Sequence, residues 1–295
     1  MRVIKGNNFA ELYKNTCSEL INNPEYVTSP RGQKIKEITN AVLINNDPTS
    51  NLFLNNTRNV PLKYLAGELL WYFSARNDLD FISKFSSFWK NIANDDGTCN
   101  SAYGNLLFAK TDAANKNSQW RWAYDSLVND KDTRQAIIHF NRPEHQYNNN
   151  RDFVCTLVGN FQIRDNKLNF TIDMRSNDIF FGLTFDYPFF TLLQQQMLRH
   201  LKQTYHDLEL GTYIHTVHSL HVYERNFKQI ENMLNNEFKQ YSTPELDIDL
   251  IDINGNANKD LINLVDYIQG NKSEFVQISD SNLIKWLYLH AVDKS

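Results

Sequence analysis

A thiol, a carboxylate and several arginines stand out in this 295-residue chain for the chemistry their types permit. Cys155 lies within "FVCTLVGNFQIR" (153–164), an apolar, strand-like pattern. Two readings are open for it. Free cysteine is commonly a small core residue; as a thiolate nucleophile it needs positive charge nearby, and Arg142, Arg151 and Arg175 lie on segments able to supply it. Glu68 interrupts "LAGELLWYF". Glutamate is seldom fully buried without a partner, so it is either a helix-surface residue or a functional carboxylate in a cleft. His221 and Tyr223 alternate with Leu220 and Val222 in "SLHVYE", which puts both on one strand face. They form either a satisfied core pair or a polar clamp on a ligand hydroxyl. The stretch "DMRSNDIFFGLTFDYPFF" (173–190) sets Arg175, Asn177, Asp178 and Asp186 around a run that reads as buried, where polar groups require partners. On local grounds Asp186, just ahead of a proline-started helix, is an N-cap.

The elements that must position these groups follow from periodicity. Helical spacing covers 7–22, then a turn at 29–33 and a strand at 35–45. A helix follows over 59–75, with Pro61 in its first turn, and further helical pieces over 78–93 and 118–129. Strands are expected at 134–140, 153–164 and 167–175, the last two closed into a hairpin by "DN". A long helix is expected over 187–201, with Pro188 near its start, a strand runs through "ELGTYIHTVHSLHVYE", a helix covers 222–236, and "ELDIDLIDI" (245–253) alternates like a strand. Helices mixed with antiparallel strands, without regular β-α alternation, indicate an α+β fold. With no linker, repeat or low-complexity tract, residues 1–295 are expected to form a single domain.

Composition narrows the function classes. Hydrophobic residues make up 41% and aromatic residues 13%, enough for a large core. A net charge of -4 argues against a general nucleic-acid binder and leaves room for a local basic site for one anionic small molecule. The N-terminus lacks a signal-peptide core, and the greasiest window, "YLAGELLWYF", is too short to span a bilayer. The three cysteines, Cys17, Cys99 and Cys155, match no zinc spacing and fit free thiols. The expectation is a soluble, cytoplasmic protein without a metal.

In register, "GELLWYFSARNDLDFI", "FWKNIANDDGTCNSAYG", "DTRQAII", "FVCT", "MRSNDIFFGLTFD", "YIHT" and "SLHVYERN" resemble the thymidylate synthase superfamily, over Gly67–Gly104 and Asp132–Asn226. "NSAYG", "NRP", the threonine after the cysteine, "MRSND" and "SLHVY" ahead of "ER" are similar to the phage deoxycytidylate hydroxymethylases within it. The resemblance implies a mixed, largely antiparallel sheet with flanking helices, in a homodimer packed through the sheet. It implies that Cys155 attacks C6 of a pyrimidine and that Glu68 positions water and aids proton transfer. Arg175 and Ser176 hold the 5′-phosphate with the partner subunit's Arg134 and with Arg31, and Asn177 belongs to the substrate-binding set. His221 and Tyr223 grip the sugar 3′-hydroxyl. Asp178 contacts the pterin of methylenetetrahydrofolate, the one-carbon co-substrate, and Trp89 and Tyr103 line the cleft. Thiolate addition makes C5 nucleophilic; C5 then takes the one-carbon unit, and hydride or water completes a methyl or a hydroxymethyl group.

Asp186 stands where thymidylate synthases carry asparagine. An amide suits uracil's O4 acceptor and N3–H donor, whereas a carboxylate suits cytosine's N4 amino group and a protonated N3. The resemblance therefore implies deoxycytidylate (dCMP) as substrate and hydroxymethylation as the reaction; a thymidylate synthase acting on dUMP, or a dCMP 5-methyltransferase on the same scaffold, are the alternatives. Ile92, at a position that is tryptophan in thymidylate synthases, and the tail "LHAVDKS", unlike their short apolar terminus, favour water capture. Gln135 replaces a second arginine, so one phosphate contact is either missing or supplied by Arg142; Thr156 replaces a histidine, Asn160 a glutamine and His218 a glycine.

Overall fold

The computed structural model describes residues 1–111 and 117–292. The last three residues of the "LHAVDKS" tail lie outside that range. The first elements are β1 (Arg2–Gly6), α1 (Phe9–Asn22), β2 (Tyr26–Thr28), β3 (Ile35–Asn45), β4 (Leu52–Leu54), α2 (Leu62–Phe73), α3 (Leu79–Ile82), α4 (Trp89–Ile92), α5 (Tyr103–Phe108), α6 (Gln119–Asn129) and β5 (Ile137–His139). They are followed by β6 (Thr156–Arg164), β7 (Lys167–Met174), β8 (Asn177–Asp178), α7 (Leu183–Leu201), β9 (Glu209–Tyr223), α8 (Glu224–Leu234), β10 (Lys239–Tyr241), α9 (Lys259–Gln269) and α10 (Asn282–Ala291). The chain gathers into two compact units, each of discontinuous segments: Met1–Val60, Cys155–Leu198 and Asp207–Thr243 in one, and Pro61–Val154, Arg199–His206 and Pro244–Ser295 in the other.

The first unit is built on a mixed sheet in which β1, β3, β9, β7 and β6 are successive neighbours. β3 and β9 pair antiparallel from Ile35↔Tyr223 to Asn45↔Tyr213, and β7 lies parallel on the other side of β9. β6 and β7 form the expected hairpin, with Asp165 (φ 49) and Asn166 (φ 58) both left-handed, the conformation that a two-residue turn needs to match strand twist. The short β8 extends the parallel pairing, with Asn177 opposite Leu220 and Asp178 opposite His221. Helices α1 and α7 supply the core: Phe9 stacks on Tyr187 at 4.0 Å and Tyr13 on Phe53 at 4.4 Å.

Helix α7 starts earlier than its proline suggests. The Asp178 carbonyl accepts from Gly182 N (2.8 Å), and the Gly182 carbonyl accepts from Phe185 N and Asp186 N (both 2.9 Å). That turn nucleates the helix at Leu183, so Pro188 lies beyond the free N–H groups of the first turn and the helix forgoes one bond there. Asp186 is consequently inside the helix and is not its N-cap.

The second unit is mainly helical. α2 is buried continuously from Leu65 to Phe73, and Trp71 and Trp120 are fully buried. Ser118, Asn258 and Ser281 cap α6, α9 and α10 through their side chains. The expected helix over 78–93 is two short pieces, α3 and α4, and the strand expected over 134–140 spans only Ile137–His139. "ELDIDLIDI" is not a strand. Its alternating carboxylates are taken up by loops and caps instead: Asp247 accepts from Asn282 N (2.6 Å), and Asp252 from Asn254 N (2.8 Å) and Asn256 N (2.9 Å). Among the described residues no helix is long and apolar enough to cross a membrane.

Gly104, in "NSAYG", permits a close approach. A Cβ there would lie 1.7 Å from the Tyr72 carbonyl oxygen, on the backbone of α2. Gly104→Ala is therefore expected to destabilise the fold by roughly 1–3 kcal/mol or more. Chemical denaturation checks this, and an unchanged midpoint would show that α5 is free to move away.

Candidate active site

In the first unit the ends of β6 and β7 bring the thiol and a guanidinium together. Cys155, half-buried, immediately precedes β6 rather than lying within it, and Arg175 immediately follows β7. Arg175 N donates to the Cys155 carbonyl at 2.9 Å, and its Nη2 stands 3.4 Å from Cys155 Sγ. A cation in that position stabilises thiolate charge. The other two arginines that the sequence offers for this role are engaged within the second unit: Arg142 Nη2 donates to the Leu106 carbonyl (2.7 Å) and Arg151 Nη2 to that of Ala93 (2.9 Å). Burial pushes the Arg142 pKa down.

Beyond Arg175 the chain passes through half-buried Ser176 into β8. Asp178 Oδ1 accepts from Phe180 N at 2.9 Å. Burial raises the Asp178 pKa, against the lowering effects of that hydrogen bond, of His221 and of Arg225. His221 is buried, its Nδ1 lies 3.1 Å from the Ser219 carbonyl, and its ring meets Tyr223 edge-on at 5.1 Å. A carbonyl only accepts, so Nδ1 carries a proton. Arg225 lies over the Tyr223 ring at 4.3 Å and its Nη1 donates to Gln33 Oε1 at 2.8 Å. Arg31, two residues from Gln33, is exposed and left-handed (φ 52) in the turn Pro30–Gly32.

Asp186 keeps some exposed surface, yet its carboxyl lies deep enough for burial to push it up to about 7, against the lowering effect of a hydrogen bond from Asn177 Nδ2 (2.7 Å). His218, exposed on the same sheet, bridges Asn40 Oδ1 (2.9 Å) and Asp173 Oδ1 (3.3 Å). Thr156 is fully buried, and its hydroxyl has no partner among the described residues.

In the second unit Glu68 is only 6% exposed, which answers the question of whether it is a surface residue. Its Oε1 accepts from Tyr64 Oη (2.7 Å) and Tyr72 Oη (3.3 Å), and Tyr64 Oη in turn accepts from Trp89 Nε1 (3.1 Å). Trp89 is buried, and Tyr103 stacks on Tyr72 at 5.3 Å. The two tyrosines flank Glu68 four residues either side on α2; that i±4 spacing was the signal available for them. Arg134 and Gln135 are exposed.

The first unit thus carries a thiol beside a guanidinium, a histidine–tyrosine pair and two carboxyls held above their usual range, the types of group that covalent chemistry on a polar ligand requires. The chain belongs to the thymidylate synthase family, whose sequence model matches residues 11–277. It is a one-carbon transferase of that family, which binds a nucleoside monophosphate and takes methylenetetrahydrofolate as co-substrate. Deoxycytidylate 5-hydroxymethyltransferase of Enterobacteria phage T2 is 29% identical over 218 residues, covering 72% of this chain and 85% of the relative. Deoxyuridylate hydroxymethyltransferase of Bacillus phage SP01 is 29% identical over 231 residues, covering 76% of this chain and 59% of the relative. The thermostable thymidylate synthase A from Bacillus subtilis shares the fold, with a TM-score of 0.62 at 23% identity over 81% of this chain and 87% of that one.

The Asp186 carboxyl has a consequence for stability. A raised folded pKa means that the native state keeps a proton which the unfolded chain has already lost above about pH 4. The stability tied to that proton is therefore present at low pH and lost as pH rises through about 7. Asp186→Asn is expected to gain stability relative to wild type as pH increases from about 5 to about 8, reaching on the order of a few kcal/mol. Thermal unfolding across that range checks it, and parallel curves would contradict it.

Proposed function

We propose that this chain is a folate-dependent deoxycytidylate 5-hydroxymethyltransferase. The observation that carries the choice of base is the buried carboxyl of Asp186, where an amide would be expected for uracil. Hydroxymethyl transfer is supported by the names of the phage T2 and Bacillus phage SP01 relatives, which differ in the base they name. Deoxyuridylate as substrate is the second reading, and the SP01 relative favours it.

In this reading Cys155 Sγ adds to C6 of the pyrimidine, with Arg175 stabilising the thiolate before attack. The bond to sulfur turns C5 into an enamine-like nucleophile, so one difficult substitution becomes two accessible steps. Asp186 accepts from the N4 amino group and from N3–H, which stabilises the protonated, more electrophilic ring. Facing uracil, its charge would oppose O4. A charge-assisted hydrogen bond contributes roughly 1.5–3 kcal/mol and a buried unpaired group costs a similar amount, so the difference between bases reaches orders of magnitude in rate. Arg175, Ser176, Arg31 and the partner subunit's Arg134 are assigned to the 5′-phosphate, where planar guanidinium groups suit a dianion. His221 and Tyr223 are assigned to the 3′-hydroxyl. Glu68, oriented by Tyr64 and Tyr72, is assigned to water and its protons.

The co-substrate supplies the one-carbon unit. Of the residues assigned to it in the first unit, Asp178 offers a carboxyl to the N–H donors of a flat heterocycle, and Phe181, three residues on, is 50% exposed; Trp89 and Tyr103 are the aromatic residues assigned to it in the second unit.

Incubation with methylenetetrahydrofolate and either dCMP or dUMP, followed by product mass, is the direct test. The expected outcome is 5-hydroxymethyl-dCMP; a methylated product from dUMP with no turnover of dCMP would sink the proposal. Cys155→Ala is expected to lower kcat by several orders of magnitude while the fold persists, as for removal of a nucleophile elsewhere. Asp186→Asn is expected to move base preference toward dUMP.

A further inference from the structure

Selecting a base by one carboxyl requires that a defined oxygen face it, and the side chain of Asp186 alone does not fix which. Its partner does. Asn177 is 3% exposed, on β8, where its backbone is registered opposite Leu220 of β9. Its Nδ2 donates to Oδ2 of Asp186 at 2.7 Å, across a sequence separation of nine residues. The amide oxygen of the same side chain is buried and has no partner among the described residues. Turning the amide over would set an oxygen against the carboxyl, so the donor is held where the carboxyl needs it. Gly182 makes the space: a Cβ there would lie 2.8 Å from Asn177 Nδ2 and 2.8 Å from the Asp178 carbonyl oxygen.

We propose that Asn177 is the positioning residue of base recognition: by donating to Oδ2 of Asp186 it fixes the rotation of the carboxyl and leaves Oδ1, with any proton the group carries, to face the pyrimidine. This rests on Asp186 being the base reader. An oxygen that accepts an N–H is the less basic of the two, so the proton resides on the other. Asn177 then does not touch the substrate and acts through Asp186.

The surroundings isolate this effect. The titratable and charged groups on the packed elements are Tyr187, Arg199 and His200 on α7, Glu209, Tyr213, His215, His218, His221 and Tyr223 on β9, Arg175 and Asp178 around β8, and Tyr13 and Arg58, which donate to the Ile179 and Phe180 carbonyls. Burial raises the pKa of Tyr187 and Tyr213 and lowers that of His215 to about 3, so these three are neutral near pH 7. Burial and the Asn177 hydrogen bond are the causes that set the Asp186 carboxyl. Removing the donor frees the carboxyl to rotate and shifts its titration upward.

The test is calorimetric binding of dCMP and of dUMP to the full chain between about pH 5.5 and pH 9, for wild type, Asn177→Leu, Asn177→Ser and Asp186→Asn. Leucine keeps the volume and removes the donor, and serine keeps a shorter donor. Asn177→Leu is expected to move the inflection in the dCMP affinity profile upward by about one pH unit and to reduce the dCMP-over-dUMP preference about ten-fold, with Asn177→Ser between it and wild type. Should the leucine variant not fold, Asn177→Ala takes its place. Unchanged inflection and preference in the Asn177 variants, with Asp186→Asn altering the preference, would overturn the role given to Asn177. An unchanged preference in Asp186→Asn itself would overturn the base-reading assignment, a separate and distinguishable failure.

Discussion

The candidate site of the first unit depends on one strand. β9 is hydrogen-bonded to β3 on one side and to β7 and then β8 on the other, so its fifteen residues set the register of everything beside them. Met174 opposite Val217 fixes where β7 ends, and hence where Arg175 stands against Cys155. Asp178 opposite His221 fixes the next pair. Side chains alternate along a strand, so a slip of one residue would turn His221 and Tyr223 to the other face together. The flanking helices bury the apolar side of this sheet and make such a slip expensive.

Both units hold polar groups at low exposure, and their partners show how they are kept there. Glu68 is held by two phenols, Asp178 by a backbone N–H and Asp186 by an amide. In each case a fixed donor orients the carboxyl. Donors and acceptors fixed before a ligand arrives need no reorganisation when it does, which is the condition for electrostatic assistance in a site of low polarity.

Much of this was legible in the sequence, for identifiable reasons. Period-3.6 patterns placed α1, α2 and α6, and the "DN" pair placed the hairpin turn, because both signals are local. The start of α7 is set otherwise than its local signal suggests: Pro188 is a strong local sign of a helix start, but the turn closed by Asp178 and Gly182 acts five residues earlier. The alternation in 245–253 mimics a strand because capping carboxylates recur there at every second or third position. Asn177 stands among the substrate-binding residues that the resemblance implies, but its pairing with Asp186 joins a strand edge to a helix across nine residues, and no periodicity encodes it. The helices α9 and α10 went unread in a tail whose charge concealed their apolar faces.

The contact between Asn177 and Asp186 also bears on how such a protein diversifies. An asparagine at position 186 would present its carbonyl oxygen to the same N–H, with the same shape and without repacking. Aspartate and asparagine codons differ by a single nucleotide. Under the proposed function the fold thus offers two base-reading heads on one mount, one mutation apart, and a lineage that changes its preferred nucleotide need not pass through an unfolded intermediate.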